Sequence, residues 1–250
     1  MTYCLGIKLS SGLVAIADTR LTSGTEVSSN KKLSVHQLEH HSMFIMTSGL
    51  RSLRDKAIAY FKDAIEENDS SFDKMYKAVN ALGQQVRRVA EEDLQSLKQS
   101  GLSFNLHAII GGQLEKDDEH KLFLLYPEGN WVEVGQGSPF IIIGNSGYGK
   151  PLLYRSLVYD TPMTEALKIG LLSFDSTRVS CNDVDYPIDT VLYKKNTFRM
   201  VEHRFEKDDV DYIGKQWGAM LKNAVQKLPV DWMKPAFEKL EEISEEQPLS

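Results

Sequence analysis

The chain has 250 residues, 42% of them apolar, and a formal net charge of −6 at pH 7. This apolar fraction is enough for one large domain or two small ones with a buried core. The longest apolar runs are far shorter than the roughly 20 residues that cross a bilayer, and no Lys/Arg-rich run offers the positive patch that nucleic acid requires. We therefore expect neither a membrane nor a nucleic acid as a partner.

Cysteine use and the N-terminal sequence bear on the compartment. Cys4 and Cys181 are too few for a disulfide framework and lack CxxC spacing, so we expect two small packed side chains. Polar Ser10, Ser11 and Asp18 interrupt the start of the chain, which therefore does not match a signal peptide. These features predict a cytoplasmic protein.

The chain begins with a predicted β-hairpin. Apolar residues alternate over 3–9, a polar turn follows at 10–12, and an apolar run covers 13–17. The turn pairs the end of the second strand with the start of the first. The hairpin therefore brings Asp18 close to Thr2.

Groups of strands alternate with pairs of helices along the rest of the chain. Strands are predicted from apolar runs bounded by turns, and helices from apolar residues that recur every three or four positions. Further strands are predicted at 33–35, 43–46, 106–111, 122–126, 140–143, 188–193 and 198–205. Helices are predicted at 50–67, 72–97, 151–158, 163–174, 210–228 and 232–243. This order predicts two stacked sheets between helical layers rather than alternating βαβ units.

Two finer expectations accompany these elements. The first two strand pairs are expected to share one sheet, and Thr161 or Thr164 is expected to cap the fourth helix. No linker or internal repeat divides the chain, so we expect a single domain over 1–250. Its C-terminal helical extension covers about 207–250 and ends in an acidic tail.

Thr2 is the first candidate for catalysis, although a Met-Thr start alone has no catalytic meaning in most proteins. Thr is small enough for the initiator Met1 to be removed, which would place a hydroxyl and an α-amine on one residue. Such an amine has a pKa of about 7.7 to 8.0. A useful fraction is therefore neutral near neutral pH, and one residue could serve as nucleophile and base.

Asp18 and one of two lysines could support that terminus. Asp18 ends an apolar run, which favours a sheet edge or cleft, with a helix or turn cap as the alternative. Lys31 and Lys32 precede the next strand, so one side chain points toward the first sheet and the other points away. A partly buried lysine beside Asp18 would stay charged and would lower the pKa of a nearby amine. Alternatively, both lysines are solvated turn residues.

These segments together resemble proteasome β-subunits, and within them the bacterial ancestral β-subunit group called Anbu. The resemblance rests on the segments Thr2–Ile7, Gly12–Arg20, Thr22-Ser23-Gly24 and Lys31-Lys32-Leu33. It covers about residues 2 to 205 and is strongest in the first fifty.

The resemblance implies roles for particular residues. Thr2 corresponds to the catalytic threonine of the mature terminus, and Asp18 and Lys32 correspond to its acidic and basic supports. Ser48-Gly49 corresponds to the turn whose backbone N–H forms the oxyanion hole. Glycine suits this role because the donor must approach the substrate oxygen closely.

Two later segments supply further candidates by the same resemblance. Ser146, in the segment Ile143–Pro151, corresponds to a serine near the terminal amine. Asp175 corresponds to a later aspartate that supports the amine, with Ser180 as a helper.

A fold and an activity are implied as well. The fold is an α+β four-layer αββα sandwich of the N-terminal nucleophile hydrolase type, with the active site at one end of the stacked sheets. The activity is that of a threonine peptidase that acts on peptide or protein substrates without a cofactor or metal. Self-association into a ring or an open helical stack is expected. Neither the subunit number nor an ATP-dependent unfoldase partner follows from the sequence, and a catalytically weak or silent structural subunit is the alternative.

Three local patterns suggest other chemistry. Gly144–Lys150 matches the phosphate-binding pattern GxxxxGK, but Pro151 lacks the hydroxyl that would bind Mg²⁺. His36, His40 and His41 with Glu39 would need a helix to form a metal site, whereas their surroundings predict strand and turn. Cys4 lacks an N-terminal position and a histidine partner, so packing is favoured over a thiol nucleophile.

Overall fold

The computed structural model describes residues 2–23, 26–37, 41–67 and 72–246. The chain divides into two compact units, Met1–Val210 and Asp211–Ser250. The first unit holds the sheets and every candidate site residue, and the second is helical. That the chain acts as a single domain stays a prediction.

The elements follow the predicted order, with three additional strands. The strands are β1 (Tyr3–Leu9), β2 (Gly12–Asp18), β3 (Arg20–Ser23), β4 (Glu26–Ser29), β5 (Leu33–Gln37), β6 (Ser42–Ser48), β7 (His107–Gln113), β8 (Lys121–Leu125), β9 (Trp131–Glu133), β10 (Phe140–Gly144), β11 (Ile188–Lys194) and β12 (Met200–Phe205). The helices are α1 (Arg51–Glu67), α2 (Met75–Gln99), α3 (Lys150–Ser156), α4 (Met163–Ser180), α5 (Lys207–Lys227) and α6 (Lys234–Glu246), with a 3-10 turn at Asp231–Met233. The strands β3, β4 and β9 were not predicted because each has only three or four residues. None of the described helices combines the length and apolarity that a bilayer span requires.

The strands form two five-stranded antiparallel sheets and one small pair. Sheet 1 has the order β10-β1-β2-β11-β12, sheet 2 has the order β5-β6-β7-β8-β9, and β3 pairs with β4. The expectation that the first two strand pairs share one sheet is therefore wrong. The reason is that β2 already has β1 on one side and β11 on the other, so no edge of β2 is free for β5.

The two sheets stack between two helical layers. Helix α4 packs on β1 and β2 and against α3, so these helices cover the outer face of sheet 1. The inner face of sheet 1 meets sheet 2 through contacts of β1 with β6, β7 and β8. Helices α1 and α2 cover the other face of sheet 2. This order of layers confirms the predicted αββα sandwich of the N-terminal nucleophile hydrolase type.

Close approach of the sheets depends on glycine. A Cβ atom on Gly6 in β1 would lie 2.9 Å from Ile109 Cγ2 and 3.1 Å from Leu122 Cδ1, both on sheet 2. Within sheet 2, a Cβ atom on Gly111 would lie 2.5 Å from the ring of Phe44, its partner on the neighbouring strand. Because both of its faces are covered, β1 is buried along its whole length.

Helix α4 is longer than predicted. It continues to Ser180, and in its last turns Ser and Thr hydroxyls donate hydrogen bonds to carbonyls one turn earlier, as in Thr177 Oγ1 to Ser173 O at 3.0 Å. The expected threonine cap is wrong: Pro162 occupies the cap position, and no side chain caps the helix. Thr161 instead accepts a hydrogen bond from Val158 N–H at 3.0 Å.

Replacement of Leu122 tests the packing between the sheets. Leu122 is fully buried in the core cluster that both sheets share. We expect Leu122→Ala to lower the free energy of unfolding by about 2–5 kcal/mol, because a cavity remains between two rigid sheets. Urea unfolding measures this loss. The control Leu102→Ala removes a half-exposed side chain, and we expect a change within about 0.5 kcal/mol. Equal losses in both variants would contradict this account of the core.

Candidate active site

Thr2 is held by its backbone next to the segment that follows β10. Its carbonyl accepts a hydrogen bond from Asn145 N–H at 2.7 Å. Gly144 has φ of +87°, and a Cβ atom there would lie 1.9 Å from Thr2 O. Only glycine fits this position, so the β1–β10 pairing fixes where Thr2 sits.

Asp18 reaches the same point from β2. The hairpin pairs Cys4 with Ala17, and Tyr3 N–H donates to Asp18 Oδ1 at 2.8 Å. The carboxylate is fully buried. The prediction that the hairpin brings Asp18 beside the start of β1 is confirmed.

Lys32 completes a buried ion pair with Asp18. Its Nζ donates to both carboxylate oxygens of Asp18 at 2.7 Å each and to the carbonyl of Arg20 at 2.7 Å. Three acceptors match the three N–H donors of an ammonium group, so Lys32 is satisfied in its charged form. Lys31 pairs with Glu202 of β12 at the surface. Both lysines therefore reach residues of sheet 1, one in the core and one in solvent, and the expectation that one of them points away from this sheet is not confirmed.

Burial dominates the electrostatics of this pair. Desolvation raises the pKa of Asp18 above its usual value, while the Lys32 charge, its hydrogen bonds and Tyr3 N–H act in the opposite direction. The carboxylate thus depends on Lys32 to remain ionised in the core.

The same surroundings make Cys4 a poor nucleophile. Burial first, and then the Asp18 charge, raise the pKa of the Cys4 thiol, while Lys32 and Arg54 lower it by less. The side chain is fully buried and belongs to the cluster between the sheets. A protonated, enclosed thiol supports the predicted packing role.

The Gly49 turn follows β6 and is held by Asn105. Gly49 has φ of +121°, and a Cβ atom there would lie 2.7 Å from Asn105 O. The side chain of Asn105 accepts a hydrogen bond from Leu50 N–H at 3.1 Å. Thr47 N–H, just before the turn, donates to Lys32 O at 3.1 Å. These contacts fix the turn and tie it to the Lys32 segment.

Asn105 was missed by the sequence analysis. It is exposed in an irregular segment before β7, where no periodicity marks a structural role. Its partner Leu50 is 55 residues away in the chain. The sequence offered only an indirect signal: a glycine in a turn, such as Gly49, can mark close contact with another backbone segment.

Ser146 and Asp175 have a looser relation to Thr2. Ser146 is half-buried and directly follows Asn145, which is bonded to Thr2. Asp175 is buried on α4 and pairs with Arg178 at 2.8 Å. Among the described residues, neither side chain hydrogen-bonds to Thr2. The supporting roles of Ser146 and Asp175 therefore stay predictions. The hydroxyl of Ser180, the predicted helper, donates a hydrogen bond to Ser176 O one turn earlier in α4.

The glycines of the GxxxxGK pattern have structural explanations. Gly144 makes room for Thr2, and a Cβ atom on Gly149 would lie 2.2 Å from Ser173 Oγ. That serine shares a hydrogen bond of 2.7 Å with the hydroxyl of Tyr3. The loop is therefore shaped by its contacts with β1 and α4, which disfavours the phosphate-binding interpretation further.

The predicted histidine cluster is only partly described. His36 lies on β5, half-buried, with its ring edge against Phe61 at 6.2 Å. Glu39 and His40 lie outside the described residues. Within the ranges described, no group of three or more His, Cys, Asp or Glu side chains could hold a metal ion.

Comparisons with known proteins agree on one family. A family model described as proteasome subunit matches residues 2–186. A Gly-1 mutant of Anbu from Hyphomicrobium sp. strain MC1 is 32% identical with a TM-score of 0.84, over 92% of this chain and 98% of that one. Anbu, the ancestral β-subunit, from Yersinia bercovieri is 31% identical with a TM-score of 0.83, over 91% and 98%.

A third solved structure is the helical assembly of the Anbu complex from Pseudomonas aeruginosa. Its chain is 28% identical to this one with a TM-score of 0.85, over 91% of this chain and 97% of that one. No curated protein matches the sequence.

Removal of the lysine tests the buried pair. We expect Lys32→Met to lower the free energy of unfolding near neutral pH by about 3–5 kcal/mol, because Asp18 is left charged and unpaired in the core. Without Lys32, the pKa of Asp18 in the folded state exceeds that in the unfolded chain. The folded variant then binds a proton more readily, so its deficit relative to wild type shrinks as the pH falls through that pKa.

Urea titrations across acidic to neutral pH measure this deficit. The double variant Asp18→Asn, Lys32→Met serves as the control. Neither position then carries a titratable group, so the loss of stability of this variant relative to wild type should not change with pH. A Lys32→Met protein as stable as wild type at every pH would show that the pair is not needed to bury Asp18.

Proposed function

Because the chain belongs to the proteasome subunit family, and within it to the ancestral β-subunit group called Anbu, we propose that it is an N-terminal threonine peptidase. Its substrates are peptides or proteins. The observation that carries this proposal is the buried Asp18–Lys32 pair, held beside Thr2 by the Tyr3 N–H. A buried charge pair is costly to maintain for packing alone, and its position next to a potential nucleophile gives it a chemical role.

The reaction would begin with removal of Met1. The freed α-amine, in its neutral form, accepts the proton of the Thr2 hydroxyl directly or through a water molecule. The hydroxyl oxygen attacks the amide carbonyl carbon, the C–N bond breaks, and the leaving amine takes the proton. Water then attacks the resulting ester, which releases the acid and restores the hydroxyl.

Lys32 and Gly49 would assist this chemistry in different ways. The positive charge of Lys32 disfavours protonation of the neighbouring amine, so more of the amine is in the basic form. The Gly49 N–H would bind the oxyanion, a contact worth roughly 3–4 kcal/mol. Ser146 and Asp175 are proposed as supports of the amine, from the loop after β10 and from α4.

We also propose that the chain associates with copies of itself. The relative from Pseudomonas aeruginosa forms a helical assembly. In the second unit of this chain, large apolar side chains are exposed, among them Met220, Val225, Trp232 and Phe237. Apolar surface of this kind commonly marks a protein contact, and a second copy is the partner that the relative's assembly suggests. A ring or an open helical stack would result.

The proposed compartment is the cytoplasm. Cys4 and Cys181 are both free and buried, which suits a reducing environment.

A covalent probe tests the proposed nucleophile. A peptide epoxyketone reacts with both the hydroxyl and the α-amine of an N-terminal threonine, so we expect intact mass to show loss of Met1 and the addition of one inhibitor per chain. Thr2→Ser should still react, whereas Thr2→Ala should not. Peptide hydrolysis should fall at least about 10³-fold in Thr2→Ala, because the nucleophile is missing.

Thr164→Ala is the control, since this threonine is exposed on α4. It should be labelled as wild type is. Labelling of Thr2→Ala, or an active sample that keeps Met1, contradicts the proposed nucleophile. A folded wild-type protein that neither reacts nor cleaves peptides would favour the silent structural subunit.

Replacement of two exposed aromatic residues tests self-association. We expect Trp232→Ser, Phe237→Ser to sediment as a smaller species than wild type, because polar side chains weaken an apolar contact. The control Leu94→Ser changes an exposed apolar residue on α2 and should sediment as wild type. Unchanged sedimentation of the double variant would place the contact elsewhere on the chain.

A further inference from the structure

A pocket with a volume of about 350 Å³ opens beside the Asp18–Lys32 pair. Lys32 and Thr47 form the wall nearest the site, and one face of α1 forms the opposite wall with Arg54, Ile58 and Lys62. The pocket is large enough for one amino-acid side chain.

Its position relates it to the carbonyl that Thr2 would attack. Thr47 lies two residues before Gly49, whose N–H would bind the oxygen of that carbonyl. Lys32 reaches from the pocket wall to Asp18 beside Thr2. These two connections make the pocket the candidate site for the side chain of the residue whose carbonyl Thr2 would attack.

The pocket combines apolar walls with an excess of positive charge. Leu33, Ile45 and Ile58 supply apolar surface. Two of the lining lysines are already neutralised, since Lys32 pairs with Asp18 and Lys31 pairs with Glu202. The remaining charges decide what the pocket prefers.

The other charged residues of the lining carry more positive than negative charge. Asp55, at the rim, shares its carboxylate between Arg51 and Arg54. Among the described residues, no carboxylate lies within ion-pair distance of Lys62. The lining therefore has two cationic side chains, Arg54 and Lys62, but only one carboxylate, Asp55, to balance them. Arg51, which is outside the lining, also pairs with that carboxylate.

Arg54 is the most informative residue of the lining. It is only 5% exposed, and within the described part of the chain the one hydrogen bond of its side chain runs from Nε to Asp55 Oδ1 at 3.2 Å. The other guanidinium N–H donors remain available at the pocket. Arginine prefers carboxylates because its planar group can donate two parallel hydrogen bonds to them.

We propose that this pocket selects an acidic side chain on the residue whose carbonyl is attacked, with Arg54 as the residue that determines specificity. This inference rests on the proposed peptidase function for its place in the reaction. Lys62, exposed at the rim, adds positive potential and contributes less, because solvent screens it.

Peptides that differ only at that residue test the inference. Four acetylated tetrapeptide aminocoumarins ending in Glu, Gln, Leu or Lys would be compared by kcat/KM. We expect the Glu peptide to exceed its isosteric Gln partner by about tenfold or more, because only Glu offers a charged acceptor to Arg54. The preference should weaken as salt is added.

Variants assign the preference to Arg54. Arg54→Met should reduce the Glu to Gln ratio to within about twofold, whereas Arg54→Lys should keep part of it. Lys62→Met should reduce it partially and, as a surface change, should fold even if Arg54→Met does not. Lys116→Met, an exposed lysine that does not line this pocket, should leave the ratio unchanged. A Glu peptide no better than Gln in wild type, or a ratio that survives in a folded Arg54→Met, overturns the inference.

Binding to Thr2→Ala separates this inference from the proposed function. Dissociation constants of the Glu and Gln peptides for that variant need no turnover, and we expect the same preference for Glu. Thr2-dependent cleavage of the Leu peptide without a Glu preference would overturn the specificity alone. Glu-selective binding that depends on Arg54, with no Thr2-dependent cleavage of any peptide, would overturn the peptidase function alone.

Discussion

The buried pair of Asp18 and Lys32 is the constraint on which the rest of the site depends. Neither charge is stable in the core without the other, so the two segments that carry them must meet whenever the protein is folded. Asp18 ends β2 in sheet 1, whereas Lys32 directly precedes β5 in sheet 2. The pair therefore links the central strand of sheet 1 to sheet 2 at the end of the sandwich where Thr2 precedes β1.

Backbone geometry supplies what the ion pair cannot. Gly144 lets the chain approach Thr2 O, and Gly49 lets the turn after β6 approach Asn105. Both glycines have positive φ, so a side chain at either position would displace its neighbour. The site thus combines a charged pair that links two strands with glycines that let neighbouring backbone segments come close to each other. Such an arrangement suits chemistry in which backbone donors bind a developing negative charge.

The sequence predicted the local parts of this arrangement well. A tight turn sets the register of the hairpin, so the position of Asp18 beside Thr2 followed from alternation alone. The sheet of β5 and β6 was predicted wrongly, because pairing between distant strands leaves no trace in a local pattern. Asn105 was missed for the same reason. Identifying which residues act together drew on a family resemblance, since a Met-Thr start carries little information alone.

The position of Arg54 in the sequence was a signal for the pocket that the sequence analysis did not use. It stands four positions before Ile58 and seven before Phe61, within the apolar stripe that predicted helix α1. A cation on the core face of an amphipathic helix needs a partner or a polar cavity, because a buried charge is otherwise expensive. Arg54 has both, in the form of Asp55 and the pocket. An interruption of this kind in an apolar stripe is therefore as informative as the stripe itself.

The cations near Thr2 would serve catalysis and recognition through one electric field. Lys32 and Arg54 both act on Cys4, two residues from Thr2, where they lower the pKa of the thiol. The same field would keep a terminal amine neutral and would attract an acidic side chain into the pocket. These two effects oppose each other once the substrate is bound, because a carboxylate at Arg54 cancels part of the field at the amine. In the proposed mechanism Lys32 would resolve this conflict by its position: it is held by Asp18 and not by the substrate, so its charge would act on the amine with or without a bound peptide.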